Sequence, residues 1–161
     1  MKALFAGSFH PPTNGHISVL KRAAGLYDEV VAAIMVNAEK TYTIGAEQRK
    51  EMLEKCLTGI PNVKVVVGSG LTVNLARELH ADVLLRGVRD TADFEYEKRI
   101  AEVNRALTGI ETLLMPAEDG LGSVASSLVM DVARNGGDIG PFVPPEIKQD
   151  IIDTIIKESK A

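Results

Sequence analysis

The residues best placed to do chemistry are His16, at the end of Gly7-Ser8-Phe9-His10-Pro11-Pro12-Thr13-Asn14-Gly15-His16, Lys40 after Asn37-Ala38-Glu39, and Arg86 and Arg89 around Gly87-Val88. In the first string Gly7 permits a tight turn and two prolines stiffen the loop. Thr13 or Asn14 is suited to cap a following helix, whose free N–H groups and positive dipole end would then face an anion. His16 would fall in the first turn of that helix, where an imidazole can donate a hydrogen bond to a phosphate. An arginine at the end of an apolar strand must leave the core and find an anion, or else pair with a neighbour such as Asp90 or Asp93. Ser126 and Ser127 open a later helix, as plain N-caps or as phosphate donors. Together these groups suit a polyphosphate ligand. No Gly-Lys-Ser/Thr follows the first loop and no G-x-G-x-x-G occurs in it, which argues against P-loop and dinucleotide-binding classes.

Such loops act together only if the fold gathers them. Residues 2–6, 29–36, 63–67, 82–86 and 111–115 are short apolar runs of strand length. Between and after them, helical spacing marks 17–26, 46–57, 73–79, 94–107, 126–134 and 145–157. Strands that alternate with helices, each strand nearly continuous in apolar residues, predict an α/β fold: one doubly wound parallel five-stranded sheet with helices on both faces. In that architecture ligands bind outside the carboxyl ends of the strands, where all the loops above lie. Isoleucines 147, 151, 152, 155 and 156 form a helical stripe expected to pack on the sheet or on a neighbouring subunit.

Composition narrows the partners. The 161 residues are 45% hydrophobic and 25% charged, fitting a single domain over 1–161 without an internal linker or repeat. The longest apolar run, 30–36, is far short of the roughly 18 residues of a membrane span, and no signal peptide is read at the start. A net charge of -4, 4% aromatic residues and no tryptophan leave neither a broad basic surface nor stacking platforms for nucleic acid. The single Cys56 fits a reduced cytoplasm, the expected location.

The string G-S-F-x-P-x-T-N-G-H resembles the first motif of nucleotidylyltransferases with a T/H-x-G-H signature, and its T-N-G-H is similar to that of bacterial phosphopantetheine adenylyltransferases. The segment R-G-V-R followed by D-F-E-Y-E resembles the same family's second diagnostic segment, and the similarity extends along almost the whole chain. The family usually carries Asp where this chain has His10. Its I-S-S-S/T-x-V motif has Ala125 in place of the first serine here, and Leu121 and Ser123 stand where aromatic residues usually precede it.

The resemblance implies a Rossmann-like nucleotidyltransferase that joins ATP to 4'-phosphopantetheine, giving dephospho-coenzyme A and pyrophosphate. It implies catalytic roles for Ser8, Lys40 and His16. ATP is then expected against Ser8, Phe9, His16, Gly87, Val88, Arg89 and Glu97, and against Leu121, Gly122, Ser123, Val124, Ala125, Ser126 and Ser127. Phosphopantetheine is expected against Ser8, Lys40, Leu71, Thr72 and Arg86. A homohexamer and feedback binding of coenzyme A are implied on the same footing. Mg2+ is expected to enter bound to ATP, since no carboxylate cluster announces a protein cage, and no metal-ligating residue is assigned. The alternatives are a nicotinamide mononucleotide adenylyltransferase, a cytidylyltransferase, and a non-catalytic module that senses nucleotide or coenzyme A.

Overall fold

The computed structural model describes residues 1–121 and 124–161; Gly122 and Ser123, both expected to contact ATP, lie outside the described residues. Strands β1 (Lys2–Gly7), β2 (Glu29–Val36), β3 (Val63–Ser69), β4 (Val83–Val88) and β5 (Glu111–Pro116) are separated by helices α1 (Asn14–Ala24), α2 (Ala46–Cys56), α3 (Thr72–Glu78) and α4 (Thr91–Thr108). Helices α5 (Ser126–Arg134) and α6 (Pro145–Lys160) follow. The strands pair in parallel in the order β3-β2-β1-β4-β5, a doubly wound Rossmann-like sheet.

Strand alternation sorts side chains onto two faces. Phe5, Val30, Ala32, Ile34 and Leu85 pack with buried residues of α1, α2, α5 and α6, while Leu4, Ala6, Val31, Ala33 and Leu84 pack with Val73 and Ala76 of α3. Burial on both sides is why the strands read as continuous apolar runs rather than as alternating ones. Ile147, Ile151 and Ile155 of α6 are buried in the first of these cores and Ile152 packs against it partly buried, so most of the isoleucine stripe covers its own chain while Ile156 stays exposed.

Two helices start earlier than apolar spacing predicts. Thr13 caps α1 and Asp90 caps α4, so polar residues that carry no periodic signal are drawn into the first turn. Strand β4 runs two residues past the expected end at Arg86, because Arg86, Gly87 and Val88 pair in register with Leu114, Met115 and Pro116. The chain leaves β1 toward β2 and β3, then returns to β4 and moves out to β5. The switch between β1 and β4 opens a crevice at their carboxyl ends.

Candidate active site

A cleft of about 280 Å³ occupies that crevice. The loop after β1 contributes Ser8, Thr13, Gly15 and His16; β4 and the start of α4 contribute Arg86, Gly87, Val88, Arg89, Asp93 and Glu97; Leu121, Val124, Ala125 and Ser126 complete the wall.

His16 is held by local chemistry. Its Nδ1 accepts the Thr13 N–H at 3.0 Å and lies 3.1 Å from Thr13 Oγ1, while the His16 N–H reaches back to that hydroxyl at 3.4 Å. This is a capping box with histidine in the third helical position. With Nδ1 an acceptor, the ring proton sits on Nε2, which is the nitrogen left to donate to a ligand. Burial, followed by the positive charges of Arg86 and Arg89, pushes the His16 pKa down to about 4, so the ring is neutral near pH 7. Phe9 steadies it. The Phe9 ring is fully buried and meets His16 edge-on with centroids 4.9 Å apart, and its backbone takes φ 47°, a left-handed conformation offset by that burial.

Helix α1 has fewer free N–H groups than its position suggests. The Asn14 N–H is taken by the Phe142 carbonyl at 2.9 Å and the His16 N–H by Thr13. At α5 no side-chain cap is made among the described residues: Ser126 Oγ donates instead to the Pro11 carbonyl at 2.9 Å, tying the first loop to this helix.

Both arginines have carboxylate partners. Arg86 makes a bidentate pair with Glu97, Nε to Oε2 at 2.8 Å and Nη2 to Oε1 at 2.6 Å, and Nη1 donates to the Ala6 carbonyl. Glu97 is the one residue of α4 that is buried, and Arg86 reaches it because β4 continues through residue 86. Of the guanidinium's N–H groups, one on Nη1 and one on Nη2 remain for a ligand. Arg89 forks onto Asp93, Nε to Oδ2 at 2.7 Å and Nη2 to Oδ1 at 3.0 Å. That pair raises the Arg89 pKa and holds the Asp93 carboxyl below its ordinary range.

The remaining expected residues lie elsewhere. Leu71 and Thr72 line a neighbouring, mostly apolar cleft of about 320 Å³, with Val73, Leu84 and Ile100. Ala6 and Arg86 line both clefts, so the guanidinium stands between them. Lys40 is exposed in a turn closed by its N–H on the Asn37 carbonyl at 3.1 Å, and lines neither cleft. Ser127 is exposed outside the lining, and Phe9 is fully buried in the core and does not line the cleft.

A family model described as cytidylyltransferase-like matches residues 4–134. The chain is 45% identical over 147 residues to a phosphopantetheine adenylyltransferase of Flavobacterium psychrophilum, covering 91% of this chain and 97% of that protein. It is 40% identical over 154 residues to one of Prochlorococcus marinus strain MIT 9301, covering 95% and 98%. The chain belongs to the phosphopantetheine adenylyltransferase family. A nicotinic acid mononucleotide adenylyltransferase of Plasmodium falciparum, solved with NaAD, shares the fold of this phosphopantetheine adenylyltransferase family member at a TM-score of 0.67 and 17% identity, over 98% of this chain and 95% of that one.

Three residues of this phosphopantetheine adenylyltransferase family member take roles in the structure beyond those their sequence positions suggest. Arg49, in α2, is 1% exposed, donates through Nη1 to the Ser8 carbonyl and stacks 4.3 Å from the Tyr42 ring centroid. Its sequence signal is position, since residues 49, 52, 53 and 56 form one helical stripe that ends on an arginine. Asp93 was readable as a partner of Arg89, but not as part of the cleft wall. Gly15, suited by its sequence to let a ligand approach the backbone, instead makes a close internal approach: a Cβ there would lie 3.1 Å from the Leu121 carbonyl oxygen, so glycine lets the loop after β5 settle on α1 without displacement.

Proposed function

We propose that the chain transfers the adenylyl group of ATP to 4'-phosphopantetheine, releasing pyrophosphate and forming dephospho-coenzyme A. The observation that carries this reading is the switch-point cleft in which neutral His16, Arg86 and Arg89 converge, in a chain of this family. A phosphate oxygen of the acceptor attacks the α-phosphorus of ATP in line; the new O–P bond forms as the bond to the β-phosphate bridging oxygen breaks. The acceptor phosphate, with a second pKa of about 6, is largely dianionic at pH 7 and needs no strong general base. Catalysis is then orientation and charge neutralisation.

His16 Nε2–H donates to an α-phosphate oxygen as charge builds there. Because the ring is neutral, it acts as a hydrogen-bond donor rather than as an acid. Arg86, fixed by Glu97 between the two clefts, orients the acceptor phosphate, and the apolar cleft at Leu71 and Thr72 takes the pantetheine arm. Arg89, Gly87, Val88 and the start of α5 with Ser126 hold ATP. Since each arginine already has a carboxylate, further positive charge comes from Lys40 on the adjoining loop. The cleft carboxylates Asp93 and Glu97 are both engaged by arginines, which leaves neither free to hold Mg2+; brought in with ATP, the ion would supply charge neutralisation at the phosphates.

The enzyme works in the cytoplasm as a homohexamer. Among the described residues no helix is long and apolar enough to cross a membrane, and the exposed Tyr96, Val103 and Leu107 of α4 line the cleft with Leu71 and Thr72, where they would flank the pantetheine arm. Coenzyme A, sharing the pantetheine arm, competes for the same clefts.

The deciding experiment measures pyrophosphate release with ATP, Mg2+ and 4'-phosphopantetheine. Nicotinamide mononucleotide, and glycerol 3-phosphate with CTP, run in parallel. Release with phosphopantetheine alone is expected. Release with another acceptor overturns the substrate, and ATP binding without release indicates a sensing module.

A further inference from the structure

His10 occupies the loop after β1 but does not line the cleft. Its ring lies between this loop and the segment that carries Lys40. Nε2 accepts the N–H of fully buried Ile44 at 3.1 Å, and the ring meets Tyr42 edge-on with centroids 5.2 Å apart. Tyr42 in turn accepts the Asn37 N–H at 3.4 Å. Both ends of residues 37–44 therefore lead back to His10, one directly and one through Tyr42.

The groups facing His10 come from three other elements: Arg49 of α2, Arg134 of α5 and Glu158 of α6. Thr43 links the last two, accepting from Arg134 Nη2 at 2.8 Å and donating to Glu158 Oε1 at 2.9 Å. A protonated His10 could not accept from Ile44, and it would add a third cation beside Arg49 and Arg134, with Glu158 as the balancing charge.

We propose that His10 is a positioning residue that fixes the Lys40 loop against the phosphate-binding loop, acting as the neutral imidazole with Nδ1 protonated and Nε2 as acceptor. The proposal rests on the reading that Lys40 serves the transfer. Burial and then Arg49 lower the His10 pKa to about 4, which keeps this form dominant near neutral pH. His10 and His16 thus hold opposite tautomers, each set by the backbone N–H that it accepts.

The test is a mutant cycle read by pyrophosphate release. His10→Phe keeps a ring against Tyr42 but removes the acceptor; it is expected to lower kcat between about tenfold and a hundredfold, with the ATP KM little changed. His10→Gln restores an acceptor and should recover most of the loss. In a Lys40→Ala background the His10→Phe effect should vanish. Should Lys40→Ala lower turnover while His10→Phe costs the same factor in both backgrounds, or costs nothing, the proposal is overturned and the role of Lys40 stands. Unchanged turnover in Lys40→Ala overturns both. If His10→Phe fails to fold, 15N NMR of the unaltered protein decides, since a protonated His10 Nε2 at neutral pH refutes the proposal.

Discussion

Glu97→Gln separates orientation from charge at the acceptor site. The substitution is nearly isosteric, but an amide offers Arg86 one acceptor oxygen where the carboxylate offers two. One charge-assisted hydrogen bond is lost, a contribution of about 1.5–3 kcal/mol. The Glu97 side chain is only 8% exposed, but that of Arg86 is 32% exposed, so water compensates in part and the net stability loss is about 1–2 kcal/mol. For a chain of this size that lowers Tm by about 2–8 °C. Anion attraction is not weakened, because the variant removes a negative charge from the cleft wall. What is lost is the fixed direction of the guanidinium, and misplacing a reacting group by about 1 Å costs up to roughly a hundredfold in rate. Steady-state pyrophosphate release should therefore show kcat reduced ten- to a hundredfold, about 1.4–2.7 kcal/mol, with the phosphopantetheine KM not raised. Arg86→Ala should do the opposite at the binding step and raise that KM. A Glu97→Gln variant with normal kcat and an increased acceptor KM would show that Glu97 does not act by orienting Arg86.

Other perturbations address the remaining parts of the site. His16→Ala should reduce turnover by about a hundredfold or more while ATP affinity stays within a few-fold, measured by calorimetric titration beside the rate assay; a large affinity loss at unchanged turnover contradicts a donor acting on the developing charge. Gly15→Ala places its methyl against the Leu121 carbonyl, so the ATP KM should rise roughly three- to tenfold, while a helix-propensity gain of up to about 1 kcal/mol keeps Tm nearly constant; an unchanged ATP KM refutes the close approach as a functional constraint. His10 and His16 are held near pKa 4 against an ordinary 6.5, so the unfolded chain binds more protons in between. Their contribution to stability is complete above pH 6.5 and is lost as the pH falls from 6.5 toward 4. Tm should decline across that window, with a shallower slope in His10→Gln, and equal slopes would rule out the low pKa.

The strand and helix order was legible because its signals are local. Continuous apolar runs of strand length and a helical period of 3.6 residues mark the elements, and the Thr13 side chain caps by reaching only three residues ahead. The first-loop motif brought His16, Ser8 and Thr13 to one place for the same reason, since they belong to a single turn and helix start. Arg86 and Arg89 were readable as anion seekers from their position at a strand end, and the Arg89 partner, four residues on, was within local reach.

Other features depend on elements distant in sequence meeting in space. Arg86 is paired with Glu97 because β4 continues two residues along β5 and lays α4 over it; apolar periodicity ends at the arginine and carries no such register. Arg49 reads as a polar residue near a helix start, yet the packing of α2 against the first loop buries it on the Ser8 carbonyl. Ser126 looks like a cap and instead ties α5 to Pro11, while Lys40 lies on a loop whose place is set by contacts of Tyr42, Thr43 and Ile44 with the first loop and with α2, α5 and α6. Sequence by itself determined the fold class, the order of elements and the residue types available for phosphate chemistry, because those follow from short-range geometry. The tertiary structure alone decided which charges are already paired, which tautomer each loop histidine holds and which side chains reach the cleft, because each depends on partners that only long-range packing brings within a few ångströms.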